Sequence, residues 1–154
     1  NNIIRMSGNQ FKAYLLQDII RQLNIELEQL SQSLFDNRII GIACDNKLDI
    51  MLNDKYYEQL SGGEQRKCDI GLIIAQRKLA QKMQSISSNI LIMDEIFDGL
   101  DDVSFNIVLD LLSDEMQDVE DNIIISHRNI EEIPFDHKIE VIKNEDNISS
   151  VKFY

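Results

Sequence analysis

The stretch Leu60-Ser61-Gly62-Gly63-Glu64, a long helical pattern, then Ile90-Leu91-Ile92-Met93-Asp94-Glu95 and Gly99-Leu100-Asp101-Asp102 decide how this chain is read. Ser61-Gly62-Gly63 stands immediately before a helix. The first N–H groups of a helix have no intrahelical partner and lie at the positive end of its dipole, so a phosphate is favoured there. Two glycines let a bulky anion approach the backbone, and Ser61 adds a hydroxyl that can also cap the helix. Taken alone, the triplet reads as a plain capped turn as well. Ile90 to Glu95 is an apolar strand ending in two carboxylates, and strand ends open onto the crevice where α/β proteins bind ligands. Asp94 suits Mg²⁺ held through water. Glu95 suits orienting or deprotonating an attacking water. The plainer alternative for the pair is two solvated acids. Ser126-His127 repeats the arrangement: a second apolar strand delivers an imidazole that can meet a terminal phosphate or serve structure alone. His137 has no such context and reads as structural.

Composition sets the frame. A chain of 154 residues, 44% apolar and 27% charged, is long enough for one globular domain with a core. No apolar run approaches the roughly 18 residues needed to cross a bilayer, so no membrane association is expected. The start, Asn1-Asn2-Ile3-Ile4-Arg5, lacks the basic and apolar regions of a secretion signal. The expected location is cytoplasmic or nucleoid-associated, not secreted. Without an initiator Met the chain reads as a fragment or a processed product. Cys44 and Cys68 lack metal-ligand spacing and read as reduced, half-buried thiols. A net charge of −12 argues against a surface that coats nucleic acid generally, while leaving room for a local basic patch.

Outward from the central stretch, Phe11 to Leu34 is helical: Leu15, Ile19, Leu23, Leu27, Leu30 and Leu34 recur at spacings of three and four, widened by Leu16 and Ile20. Such a stripe is the core face of a helix or the end of a coiled coil entering a globular head. Arg38 to Cys44 and Lys47 to Leu52 read as a β-hairpin around Asp45-Asn46. The central helix is expected from about Glu64 to Gln84, well buried between Ile70 and Ala75, and broken by Ser85 to Asn89. Ile90 to Met93 reads as a buried strand, Asp101 to about Gln117 as a helix with acids at its N-terminus, and Asn122 to Ser126 as a second buried strand. Pro134 marks an irregular stretch. Lys138 to Lys143 and Ile148 to Phe153 close the chain as an antiparallel hairpin around Asn144 to Asn147. Strands with helical crossovers imply an α/β fold: a mixed sheet with flanking helices and an antiparallel edge.

In order and spacing, these elements resemble the second half of an ABC-type ATPase. Leu60 to Glu64 looks like the signature motif, Ile90 to Glu95 like the Walker B strand, Gly99 to Asp102 like the D-loop and His127 like the switch histidine. Transport ATPases usually carry Gln after Ser-Gly-Gly and Pro after Asp-Glu; here those positions are Glu64 and Ile96. The long signature helix, preceded by a Leu/Ile-striped helix and a hairpin, is similar to the C-terminal head segment of SMC and SbcC-type proteins, the group of the Rad-fifty repair ATPase. The resemblance implies a helix leaving a coiled coil over residues 1–36 and a C-terminal ATPase lobe over 37–154. None of the six glycines supports a Gly-x-x-x-x-Gly-Lys-Ser/Thr loop. In this family that loop lies on an N-terminal lobe, so an N-terminal Walker A lobe of the same protein is the expected first partner, and the chain alone is expected not to turn over ATP.

The resemblance further implies ATP and Mg²⁺ as cofactors, Asp94 as the metal residue, and Glu95 and His127 as catalytic residues. Ser61, Gly62, Gly63, Glu64 and Asp101 are the implied ATP-binding residues, reaching the nucleotide of a second head in a homodimer. Its implied work is ATP-driven dimerisation that regulates DNA double-strand-break or DNA-end processing with a nuclease subunit. A chromosome-organising, condensin-like ATPase is the alternative; a transporter subunit is disfavoured. Arg66, Lys67, Arg77, Lys78 and Lys82 form two basic rows on the signature helix. They read either as ordinary solvated or salt-bridged faces, or as a surface that meets the partner lobe or a DNA backbone.

Overall fold

The computed structural model describes residues 8–44, 48–84, 89–117, 119–128, 135–144 and 147–154. The tight turn at Asp45-Asn46, the break at Ser85 to Ser88, Pro134, and the Glu145-Asp146 pair of the last turn lie outside these residues. Among the described residues, three α-helices, one short 3-10 helix (Tyr57–Gln59, between β3 and α2) and seven strands occur along the chain: α1 (Gly8–Leu34), β1 (Ile40–Cys44), β2 (Leu48–Leu52), β3 (Lys55–Tyr56), α2 (Gly62–Gln84), β4 (Ile90–Asp94), α3 (Asp102–Glu115), β5 (Asp121–Ile125), β6 (Ile139–Lys143) and β7 (Ser149–Phe153). The mixed helix-and-strand architecture expected from the sequence is present. Its strands form three sheets, an antiparallel β1-β2-β3 meander, a parallel β4-β5 pair and an antiparallel β6-β7 hairpin. The parallel pair follows from α3, which crosses from the end of β4 back to the start of β5.

α1 and α2 carry the core. Leu23, Leu27, Leu30 and Leu34 of α1 are buried against Cys68, Ile70, Ile74 and Leu79 of α2, with Ile40 and Leu52 from the meander beneath. Burial extends through Gly71 on α2, as the apolar run from Ile70 predicted, although Ile73 faces outward. The near end of the α1 stripe behaves differently: Leu15, Leu16 and Ile19 are exposed, so the helix runs past the globular body before its leucines are covered. Two polar side chains dock the meander on α1. Asn24 donates to the Ile42 carbonyl at 3.0 Å and accepts from Ile42 N–H at 2.7 Å, while the Ser31 hydroxyl accepts from Ile40 N–H at 2.8 Å. Each satisfies a backbone group that the strand edge would otherwise leave unpaired.

β4 and β5 depart from the expectation of buried strands. Met93 is buried, but Ile90, Ile92, Ile123 and Ile125 are exposed together on the opposite face. Successive residues of a strand point to opposite faces, and only one face of this pair has helices to pack against among the described residues. The β6-β7 hairpin is likewise exposed on both faces. Cys68 is fully buried and free, and burial pushes its thiol up to about 12, so it is an inert core residue. The side chain of Cys44 lies outside the described residues.

At Gly71, α2 passes close to Leu34 of α1 and Ile40 of β1. A Cβ there would sit 3.0 Å from Ile40 Cδ1 and 3.1 Å from Leu34 Cδ1. Replacement by a large side chain overfills this crossing. Gly71→Leu is expected to destabilise the fold by about 1–3 kcal/mol in denaturant titration, while Ile73→Leu on the outward face stays within about 0.5 kcal/mol.

Candidate functional site

The turn before α2 is built on a reciprocal cap. Leu60 is buried and anchors the approach. Glu64 N–H reaches the Ser61 hydroxyl at 3.4 Å, and the Glu64 carboxylate turns back to accept from both Ser61 N–H and Ser61 Oγ at 2.9 Å. This is the Ser-x-x-Glu capping box, which satisfies orphan donors at a helix start. Arg38, in the tight turn after α1, donates to the other carboxylate oxygen of Glu64. These bonds hold the Glu64 carboxyl down at about 2, the Arg38 guanidinium contributing most and Ser61 next. Gly62 is open to solvent: a Cβ added there would meet nothing within 4 Å. Gly63 faces the carbonyl of Gly99.

At the end of β4, Asp94 is exposed and Glu95 half-buried. Glu95 adopts a left-handed conformation, φ 53°, which bends the chain sharply out of the strand. Its N–H donates to Ile125 O at 2.9 Å, so the turn stays registered to β5. The guanidinium of Arg66, in the second turn of α2, donates to the carbonyls of Glu95 and, at 3.1 Å, Ile96. β5 delivers His127, whose Nε2 lies 2.8 Å from Glu95 Oε1. Glu95 Oε2 is buried and meets no donor among the described residues. Loss of water around the carboxyl, followed by the nearby Asp98, holds Glu95 above the ordinary carboxylate range, with His127 opposing. Beyond Gly99 (φ 76°), Asp101 caps α3 by accepting from Ser104 N–H at 2.7 Å.

The sequence placed Ser61 to Gly63 and Asp94-Glu95 at opposite ends of one helix. In the fold they adjoin, because β4 runs back along α2 and Arg66 joins the start of the helix to the end of the strand. Two residues of this arrangement escaped the sequence reading as site residues. Arg38 has no local signal, since its partner is remote in sequence. Arg66 stood out only as a member of the basic rows. Ser61 was expected to cap the helix, but the reciprocal bond from Glu64 was not anticipated, although the Ser-x-x-Glu pattern carries that signal.

The cations of those rows have partners within the chain, although Lys82 is exposed. Lys67 donates to Leu34 O, Arg77 to Glu115 O, Lys78 to the Glu115 carboxylate and Lys82 to Glu26 at 2.5 Å. The plain salt-bridged reading is the one the structure supports.

Asp94 at the strand end is suited to Mg²⁺, which needs few protein ligands because it keeps much of its water. The unpaired Glu95 Oε2 is the kind of acceptor a hydrogen-bonding water would satisfy. Among the described residues no three His, Cys, Asp or Glu side chains gather as a closed metal cage, and no helix is long and apolar enough to cross a membrane.

No protein-family model matches the chain. It is 27% identical over 115 residues to the probable exonuclease subunit 2 of Escherichia phage T5, an alignment covering 71% of this chain and 18% of that protein. The chain therefore spans under a fifth of that relative. Among solved structures it is similar to one from work on ATP-driven dimerization and DNA-stimulated activation of SMC ATPases, with TM-score 0.73, 19% identity, and coverage of 92% of this chain and 88% of that chain. It is also similar to the Smc head domain with a coiled coil and joint from Pyrococcus yayanosii, with TM-score 0.70, 21% identity, and coverage of 94% and 29%. A third likeness is to an Smc head bound to the C-winged helix domain of ScpA, with TM-score 0.68, 18% identity, and coverage of 93% and 46%. The chain has the fold of part of an SMC-type ATPase head.

The Glu64 network has a pH signature. A carboxyl held at about 2 against an ordinary 4.5 stabilises the fold fully above pH 4.5, and that contribution is lost as pH falls toward 2. Wild type should lose stability from this group across that window, by an amount that solvent screening of the half-exposed Arg38 keeps modest. Glu64→Gln, which cannot titrate, should show a shallower fall in stability over the same range of denaturant titrations.

Proposed function

We propose that this chain is the C-terminal lobe of an SMC/SbcC-type head that binds and hydrolyses ATP once an N-terminal Walker A lobe completes it. The observation that carries the reading is the pairing of Glu95 with His127 across adjacent parallel strands, beside a Ser-Gly-Gly turn tied to the same strand end by Arg66. In this reading Asp94 helps to hold Mg²⁺, which when bound supplies positive charge to the phosphates. Glu95 orients and deprotonates water with an oxygen already shielded from solvent and a carboxyl of raised basicity. His127 keeps Glu95 aligned and meets the γ-phosphate. Ser61, Gly62 and Gly63 present hydroxyl and backbone donors to the nucleotide of a second, identical head, Glu64 belongs to the same turn, and Asp101 bridges the two sites. Catalysis of this kind is positioning and charge stabilisation.

ATP then joins two heads and hydrolysis releases them. The phage T5 relative, named as an exonuclease subunit, supports a role in DNA-end or double-strand-break processing beside a nuclease subunit. A chromosome-organising role is the second reading. It is favoured by the SMC heads among the similar structures, one of them bound to ScpA. Co-purification separates the two: a nuclease subunit supports the first, a ScpA-like subunit the second.

In the full-length protein, Glu95→Gln is expected to lower ATP hydrolysis about 10²-fold or more and to trap a nucleotide-bound dimer visible by light scattering. Hydrolysis at the wild-type rate removes Glu95 from its assigned role. The 154-residue chain by itself is expected to show no Glu95-dependent ATP turnover; robust turnover that Glu95→Gln abolishes would contradict the need for a second lobe.

A further inference from the structure

The Ser61-Gly62-Gly63 turn already holds an anion of its own. Glu64 Oε2 takes the Ser61 N–H and the Ser61 hydroxyl, both at 2.9 Å, and Oε1 takes the Arg38 guanidinium. A backbone N–H at a helix start, a hydroxyl and a guanidinium are the donors that suit a phosphate oxygen. The surroundings are cationic as well. Arg38 lies 5.2 Å over the Phe35 ring, and Lys67 Nζ lies 4.4 Å from the centroid of the same ring. Phe35 is buried, so it fixes both cations beside the turn. Arg38 is fixed further by its own N–H, which donates to Phe35 O at 2.7 Å. Two anions cannot share these donors, because a carboxylate and a phosphate at hydrogen-bonding distance of one hydroxyl repel strongly.

We infer that the γ-phosphate of ATP on the opposite head displaces the Glu64 carboxylate from this clasp and takes over both Ser61 and Arg38. Glu64 is thus an internal competitor that sets how much ATP is needed to join the heads, and Arg38 is a phosphate-binding residue. The inference rests on the reading of Ser61 to Gly63 as the phosphate-contacting turn. The exchange leaves no donor unpaired: the hydroxyl, the N–H and the guanidinium pass from one anion to the other, and the freed carboxylate turns to water. A purely structural capping box predicts the opposite behaviour, since weakening the box would loosen the turn and weaken dimerisation.

The test is the ATP concentration for half-maximal dimerisation of the full-length protein, measured by light scattering with Glu95→Gln present throughout to prevent turnover. Adding Glu64→Gln should lower that concentration at least threefold. Arg38→Ala, which leaves the Ser61–Glu64 cap in place, should raise it at least threefold. Its penalty should be larger when combined with Glu64→Gln, where the phosphate no longer competes for the guanidinium. An unchanged or raised concentration for Glu64→Gln overturns the competitor role. An Arg38→Ala effect of equal size in both backgrounds overturns the exchange. If the Glu95→Gln parent does not dimerise with ATP at all, the phosphate-contacting turn itself is refuted and this inference with it.

Discussion

The guanidinium of Arg66, shared between the carbonyls of Glu95 and Ile96, is the contact on which the site geometry depends. A non-glycine residue at φ 53° sits in a region that costs on the order of 1–2 kcal/mol, so the left-handed Glu95 persists only where its surroundings hold it. Three backbone bonds do so: Glu95 N–H to Ile125 O, Asp98 N–H to Glu95 O at 3.1 Å, and the Arg66 bridge. Of these only Arg66 comes from α2. It therefore registers the start of α2 against the end of β4, and a shift of one moves the other. Phe97, fully buried and packed at a tilt 4.7 Å from Phe105, pins the far side of the same bend to α3.

Most of the fold was legible because its signals are local. The leucine spacing of α1, the alternation in the hairpin and the apolar runs at Ile90 and Asn122 gave elements whose bounds agree with the structure to within a few residues. What was not legible depends on which surfaces the chain itself supplies. Apolar runs at β4 and β5 read as buried strands, yet Ile90, Ile92, Ile123 and Ile125 are exposed, because a strand pattern records that a face needs covering and not where the cover comes from. The lobe proposed to complete the head would have such a face to meet.

The site shows the same division. Ser61, Asp94, Glu95 and His127 were singled out from motif order, and in the fold His127 Nε2 lies 2.8 Å from Glu95 Oε1. Their supporting residues were not found. Arg38 and Arg66 act through contacts across 26 and 29 positions of sequence, and nothing in the local pattern marks a cation that will reach so far. The basic rows show the cost of reading charge by periodicity alone. Helical spacing aligned Arg66 with Arg77 and Lys67 with Lys78, but it could not reveal that their partners are carbonyls and carboxylates within the chain.

That internal use of cations also ties the turn before α2 to the long helix α1. In a chain of net charge −12, positive groups at the site are few and each has a structural as well as an electrostatic consequence. Arg38 stands just past the end of α1, its N–H bonded to Phe35 O, while Lys67 from α2 caps the Leu34 carbonyl at that same helix end at 3.1 Å. The end of α1 is thereby held by two cations, of which Arg38 also reaches the Ser61 turn through Glu64. Any anion that redistributes Arg38 acts on the exit of α1, the helix whose leucine stripe continues exposed beyond the body. The fold thus provides a short physical route, Ser61 to Glu64 to Arg38 to Phe35, between the turn before α2 and the long helix, made of charge-assisted hydrogen bonds and one buried ring.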